Sequence, residues 1–244
     1  GSLGFPRILG SPMPSPRIAH RVVRTKNKHS RAVLKDETVI IRLARNLSRT
    51  EEQDHIRDLL RRMTRIVLEE RTKILINPFQ SLLNGSSRAT IELATGKKIV
   101  FTLEAGDRSK AKRTKEGWHI TIGPRCRRKA LHRFLWKLVS ISEQERVERV
   151  VHILNRDLLR VRIRGVRIGF ASTQWGSCSP KGVIMLNAAL LVLPERYLRY
   201  IIIHELSHRI RADHSPAFWK VVERAMPGYE KARRELLDYR LPTV

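Results

Sequence analysis

The sequence predicts an α+β protein: a β-rich N-terminal region with one long helix, then a mostly helical domain with a hairpin inside it. Three observations carry this. Short β-branched runs separated by turn residues fill much of residues 20–125. Apolar residues at helical spacing dominate residues 126–244. Within that second region Ser179-Pro180-Lys181-Gly182, with proline second and glycine fourth, reads as a tight turn joining two strand-like runs.

Residues 1–19 are rich in proline and glycine, lack periodicity and read as a tail, with Gly1-Ser2 left from cloning and Met13 the native start. From Val22 to Leu43, runs such as Val39-Ile40-Ile41 suggest a small sheet. Ser48 or Thr50 then opens a helix with Ile56, Leu59, Leu60, Met63, Ile66 and Val67 at helical spacing. Ala89–Leu93 and Ile99–Leu103 flank a Thr-Gly-Lys-Lys turn, and Gly117–Ile122 adds a strand. Between them Arg108–Lys115 reads as a solvated basic loop. Two helices follow, Arg125 to Val139 and, from a Ser142/Glu145 capping box, to about Leu158. Leu159–Arg164 alternates, so a strand there would put Arg160, Arg162 and Arg164 on one face. The domain division is therefore a tail at 1–19, a β-rich region at 20–125 and a second domain at 126–244.

His204-Glu205-Leu206-Ser207-His208 carries the chemistry. Leu198, Ile201, Ile202, Leu206 and Ile210 form an apolar stripe, and Pro194-Glu195 is a good helix start. On that helix His204 and His208, four apart, share a face and can hold one metal ion. His214, just before the helix-opening Ser215-Pro216, supplies a third nitrogen once the chain turns back. Three histidines and an open fourth position describe a catalytic Zn²⁺ site. Glu205, on the strongly apolar stretch Tyr200-Ile201-Ile202-Ile203, would be costly to bury without a task. Taking a proton from the attacking water is such a task. Asp213 could orient a ligand imidazole, though an exposed turn residue is the plainer reading.

The flanks add a resemblance. Trp175-Gly176-Ser177-Cys178-Ser179, a turn, Ile184-Met185-Leu186-Asn187, Pro194, the histidine motif, His214–Trp219, and Pro227 with Tyr229 resemble the YgjP-like metallopeptidases, which are zincin-type proteins related to the SprT-like group. The resemblance is dense over 145–240 and thin over 20–70. It implies a zincin-like catalytic domain and peptide hydrolysis. It also makes Trp175, Gly176, Ser177 and Cys178 candidates for a strand that pairs with substrate, and Tyr229 a candidate oxyanion stabiliser. Gln174 stands where the family commonly has arginine. Metzincins share the histidine intervals but use glycine at the place of Arg211. YbeY-like endoribonucleases share them without requiring Glu205.

Net charge is +26, divided evenly: 25 basic and 12 acidic residues in 1–122, 24 and 11 in 123–244. The charge is thus no detachable tail. With 35 arginines it makes non-specific nucleic acid a candidate partner, Arg160, Arg162 and Arg164 being the candidate contacts. Two distant cysteines and no recognisable signal peptide point to a reduced, cytoplasmic protein, and no apolar run is long enough to span a bilayer. The expectation is a cytoplasmic zinc peptidase acting on a peptide or protein. The alternatives are a metal-dependent endoribonuclease and a non-catalytic zinc-containing nucleic-acid-binding module.

Overall fold

The computed structural model describes residues 19–35 and 38–242. The expected tail lies outside these apart from Ala19. The chain mixes helices with several small sheets, and the described residues divide into two compact units, one up to Thr72 and one from Lys73.

In the first unit, β1 (His20–Arg24) runs parallel to β3 (Thr38–Leu43), and β2 (Arg31–Lys35) pairs with β3 antiparallel, giving the order β1-β3-β2. Alternation along β3 buries Val39, Ile41 and Leu43. Helix α1 (Arg49–Thr72) covers them with Ile56, Leu59, Leu60 and Met63. Its start is a capping box: the Ser48 amide donates to Glu51 Oε2 at 2.7 Å and the Glu51 amide to Ser48 Oγ at 3.3 Å.

The second unit begins with the short β4 (Ile74–Leu75) and α2 (Gln80–Leu83). Strands β5 (Arg88–Glu92), β6 (Lys98–Ala105), β7 (Lys110–Arg113) and β8 (Gly117–Ile122) form one sheet in the order β5-β6-β8-β7. Gly96, at φ +79°, makes the β5–β6 turn. The basic stretch expected as a loop thus contains strand β7, paired antiparallel with β8. Its lysines and arginine suit a sheet edge, where charge discourages further pairing.

Helix α3 (Arg128–Leu154) is a single helix where two were expected. Ser142 does not cap a second one. Its hydroxyl donates to the Leu138 carbonyl four residues back at 3.0 Å and accepts from the Trp118 indole at 2.9 Å, so the helix runs through it. Buried Glu143 on α3 is held by Lys97 and Arg146, each at 2.6 Å. The helix ends in a π-helical turn (Asn155–Leu159), closed by Arg160 in the left-handed region at φ +52°.

The strand expected at 159–164 does not form. The Asn155 amide side chain takes both backbone groups of Val161, at 2.8 and 2.9 Å, so neither is free for a ladder. The ladder starts later, with β9 (Gly165–Gly169).

Strand β9 runs parallel to β11 (Val183–Asn187), and β10 (Gly176–Cys178) pairs with β11 antiparallel, giving the order β10-β11-β9. The intervening turn closes with the Gly182 amide on the Ser179 carbonyl at 2.8 Å, with Gly182 at φ +83°. A buried 3-10 turn (Ala188–Val192) leads to α4 (Glu195–Ser207), α5 (Pro216–Ala225) and α6 (Tyr229–Leu236). Strand β12 (Tyr239–Arg240) returns to pair with β4. One apolar cluster joins β5, β6, β8, α3, β11 and α4–α6. Among the described residues no helix is long and apolar enough to cross a membrane.

Candidate active site

Helix α4 is the platform. Ile202, Ile203 and Leu206 are completely buried, and Tyr197, Leu198, Tyr200 and Ile201 nearly so, which fixes the helix in rotation. His204 lies in its last turn. His208 follows as C-cap and keeps helical backbone angles, φ −64° and ψ −15°, so the four-residue relation survives. The two rings are 4.9 Å apart. The chain then reverses through 211–213 with no residue there at positive φ, so Arg211 needs no glycine-like conformation. Ser215 and Pro216 open α5, and His214 just before them swings over α4.

The reversal brings the three imidazoles together. One ring nitrogen from each of His204, His208 and His214 lies within 4.8 Å of the others. His204 Nε2 and His214 Nε2 are 3.1 Å apart. That approaches the ~3.4 Å expected between two nitrogens on one tetrahedral zinc. The Phe218 ring is the floor, 4.6–5.0 Å from all three imidazoles. Trp219 lies 5.7 and 5.8 Å from His204 and His214. In the sequence these aromatics belong to a motif that carries the family resemblance, with nothing to mark them as the floor of the site.

The electrostatics suit a cation. Burial, then the neighbouring His208 and His214, push His204 down to about 4. Burial also lowers His208, opposed by its hydrogen bond to a carbonyl. Neutral imidazole is the form that binds metal. The carbonyl is that of Arg211, 3.2 Å from His208 Nδ1; it holds the ring and leaves Nε2 available. Asp213 does not play that part: it is exposed and accepts from Ser215 Oγ at 2.8 Å. Among the described residues His204 Nδ1, which is buried, has no hydrogen-bond partner.

Glu205 is 5 % exposed and, among the described residues, has no hydrogen bond or ion pair. Burial alone pushes its carboxyl up to about 7. Strand β10 passes directly over it. A Cβ on Gly176 would lie 2.7 Å from Ile201 Cγ2 and 2.9 Å from Glu205 Oε1. Only glycine lets the strand approach so closely.

The entrance to β10 is fixed by fully buried Asn187. Its Nδ2 donates to the Ala171 and Gln174 carbonyls, both at 2.7 Å, and its Oδ1 accepts from the Ala189 amide at 3.0 Å. Gln174 thus contributes its backbone. Trp175, Gly176, Ser177 and Cys178 are half-buried, and β10 is an edge strand of its sheet. Burial raises the Cys178 thiol, Arg209 opposes it and Glu205 adds to it.

Tyr229 is buried and stacked, 5.3 Å from Trp219 and 6.2 Å from Tyr200, whose rings both adjoin His204. Arg233 sits 4.4 Å over Trp219. The three candidate nucleic-acid arginines share no strand face. The Arg160 guanidinium turns back to the Arg156 carbonyl at 3.2 Å, whereas Arg162 and Arg164 border a cleft.

These features are those of a metal-dependent peptidase. The family model of the YgjP-like metallopeptidase domain matches residues 28–239, and the chain belongs to that family. Among solved structures, the metallopeptidase zymogen abylysin of Pyrococcus abyssi is 31% identical over 39% of this chain and 99% of its own, with a TM-score of 0.35. No curated protein matches the sequence.

Two outcomes follow from this geometry. The Glu205 carboxyl, raised above its unfolded value of about 4.3, costs metal-free protein stability that is intact below that pH and lost as pH rises through about 7. Glu205→Gln should therefore raise the melting temperature of metal-free protein at pH 8 by several degrees and leave it unchanged at pH 4. Gly176→Ala forces contacts that must be relieved, at a cost of about 1–3 kcal/mol, which urea denaturation will read as a lower midpoint at unchanged slope.

Proposed function

We propose that the chain is a zinc-dependent peptidase with a zincin-like catalytic arrangement, in which His204, His208 and His214 hold Zn²⁺ and Glu205 is the general base. The observation that carries it is Glu205: a buried carboxylate with no partner among the described residues, one residue from a cluster of three imidazoles. Burial without compensation is costly, and a proton-transfer role accounts for that cost. Zinc bound there supplies Lewis acidity, polarising a scissile carbonyl and lowering the pKa of water.

This chain's own residues do the rest. An extended peptide adds to the free edge of β10, with Gly176, Ser177 and Cys178 providing backbone hydrogen bonds. The absence of a side chain at Gly176 lets that strand lie against Glu205. Glu205 accepts a proton from the attacking water and returns one to the departing amine. A carboxyl poised near 7 serves both transfers. Tyr229, clamped by Trp219 and Tyr200, is the candidate to donate to the developing oxyanion. The catalytic residues all fall within the proposed domain 126–244, and both cysteines are free, in keeping with a reducing cytoplasm.

The endoribonuclease reading draws on the same histidines and on the net charge of +26. It does not require Glu205, and the non-catalytic module leaves that carboxylate without a task. Metal analysis should find about one zinc per chain, lost in His204→Ala and in His208→Ala and weakened in His214→Ala. Glu205→Gln should keep zinc yet cleave denatured protein at least about a hundredfold more slowly. RNA cleavage that persists in Glu205→Gln, with no proteolysis by wild type, would replace this function with the nuclease.

A further inference from the structure

A cleft of about 670 Å³ lies at the turn end of β10, lined by Arg162, Ile163, Arg164, Lys181 and Arg209. Its cations come from three segments: the stretch before β9, the β10–β11 turn, and the residue after His208. The segments are tied together. Arg209 donates to the Arg162 carbonyl at 3.2 Å and to the Pro180 carbonyl at 3.0 Å, and the Arg164 amide donates to the Gly182 carbonyl at 2.8 Å. Among the described residues none of the four cations pairs with a carboxylate, whereas Arg146 and Arg196 on neighbouring helices do. Four like charges converging without a counter-ion leave the cleft short of an anion.

Its position relative to Glu205 follows from the hairpin. Gly176 lies against the carboxylate, and at the other end a Cβ on Gly182 would lie 3.4 Å from the Arg209 guanidinium. At about 3.3 Å per residue the cleft begins roughly 10 Å along β10 from Gly176. An antiparallel peptide, the more stable pairing, would run from the turn toward Gly176. Residues N-terminal to the scissile bond would then lie over the cleft.

We propose, building on the peptidase reading, that this cleft is a subsite for acidic side chains about three to five residues N-terminal to the cleaved bond. The protein is thereby directed to acidic peptide segments. Nucleic acid fits less well, because among the described residues no aromatic side chain lines the cleft to stack a base and the adjoining strand edge suits peptide backbone.

The test compares a labelled alanine-rich peptide bearing a run of glutamates with its glutamine counterpart. Fluorescence anisotropy on zinc-loaded Glu205→Gln reads binding, and mass spectrometry of wild-type digests reads the cut. The glutamate peptide should bind about tenfold more tightly or better and be cut three to five residues beyond its acidic run. Combining Arg162→Gln, Arg164→Gln and Lys181→Gln should bring that ratio near one. A control removing equal charge from α1, Arg57→Gln with Arg61→Gln and Arg65→Gln, should leave it intact. Equal binding of the two peptides, or a ratio indifferent to the cleft substitutions, overturns the proposal. So does loss of single-stranded DNA binding in the cleft variant with the peptide ratio unchanged, which assigns the cleft to nucleic acid. Selective binding of the glutamate peptide without cleavage by wild type upholds the subsite and rejects the peptidase reading instead.

Discussion

The structure of the site depends on one unfavourable placement: a carboxylate on the buried face of α4. Fully burying a side chain such as Ile202, Ile203 or Leu206 contributes about 1.5–3 kcal/mol each. Together they hold Glu205 in an environment it would otherwise leave. The same rotation of the helix sets His204 and His208 on the adjacent face, and the missing side chain of Gly176 lets an edge strand close over the carboxylate. Carboxylate, imidazoles and strand edge are thus placed by how one helix is packed.

Around this platform the supporting contacts are mostly backbone and aromatic. The Arg211 carbonyl holds His208, Phe218 floors the histidine cluster, and Asn187 pins the approach to β10 by three hydrogen bonds. Each restricts the freedom of a neighbouring group in the site, which is how a site gains precision without many charged residues. The family to which the chain belongs is a metallopeptidase family.

Sequence showed the site more clearly than its surroundings. The pair His204/His208 follows helical period, the turn Ser179–Gly182 carries its own conformational chemistry, and Ser215-Pro216 marks a helix start that places His214. What was missed depends on tertiary partners. Ser142 imitates a cap, but the Trp118 indole and the Leu138 carbonyl satisfy its hydroxyl within a continuous α3. Alternation at 159–164 imitates a strand, and the burial does alternate, yet Asn155 takes the backbone groups a ladder would need. Arg211 acts through its carbonyl, which leaves no trace in residue identity. The convergence of Arg162, Arg164, Lys181 and Arg209 requires the hairpin to be folded before it can be seen.

The central claim is that His204, His208 and His214 form one zinc site. Zinc K-edge X-ray absorption on the zinc-loaded protein tests it directly, because it reads the ligand atoms themselves. The account predicts three imidazole nitrogens at about 2.0–2.1 Å, with the outer-ring scattering of histidine and one further light atom. A first shell containing sulfur from Cys178, or one of oxygens with fewer than three imidazoles, would contradict it.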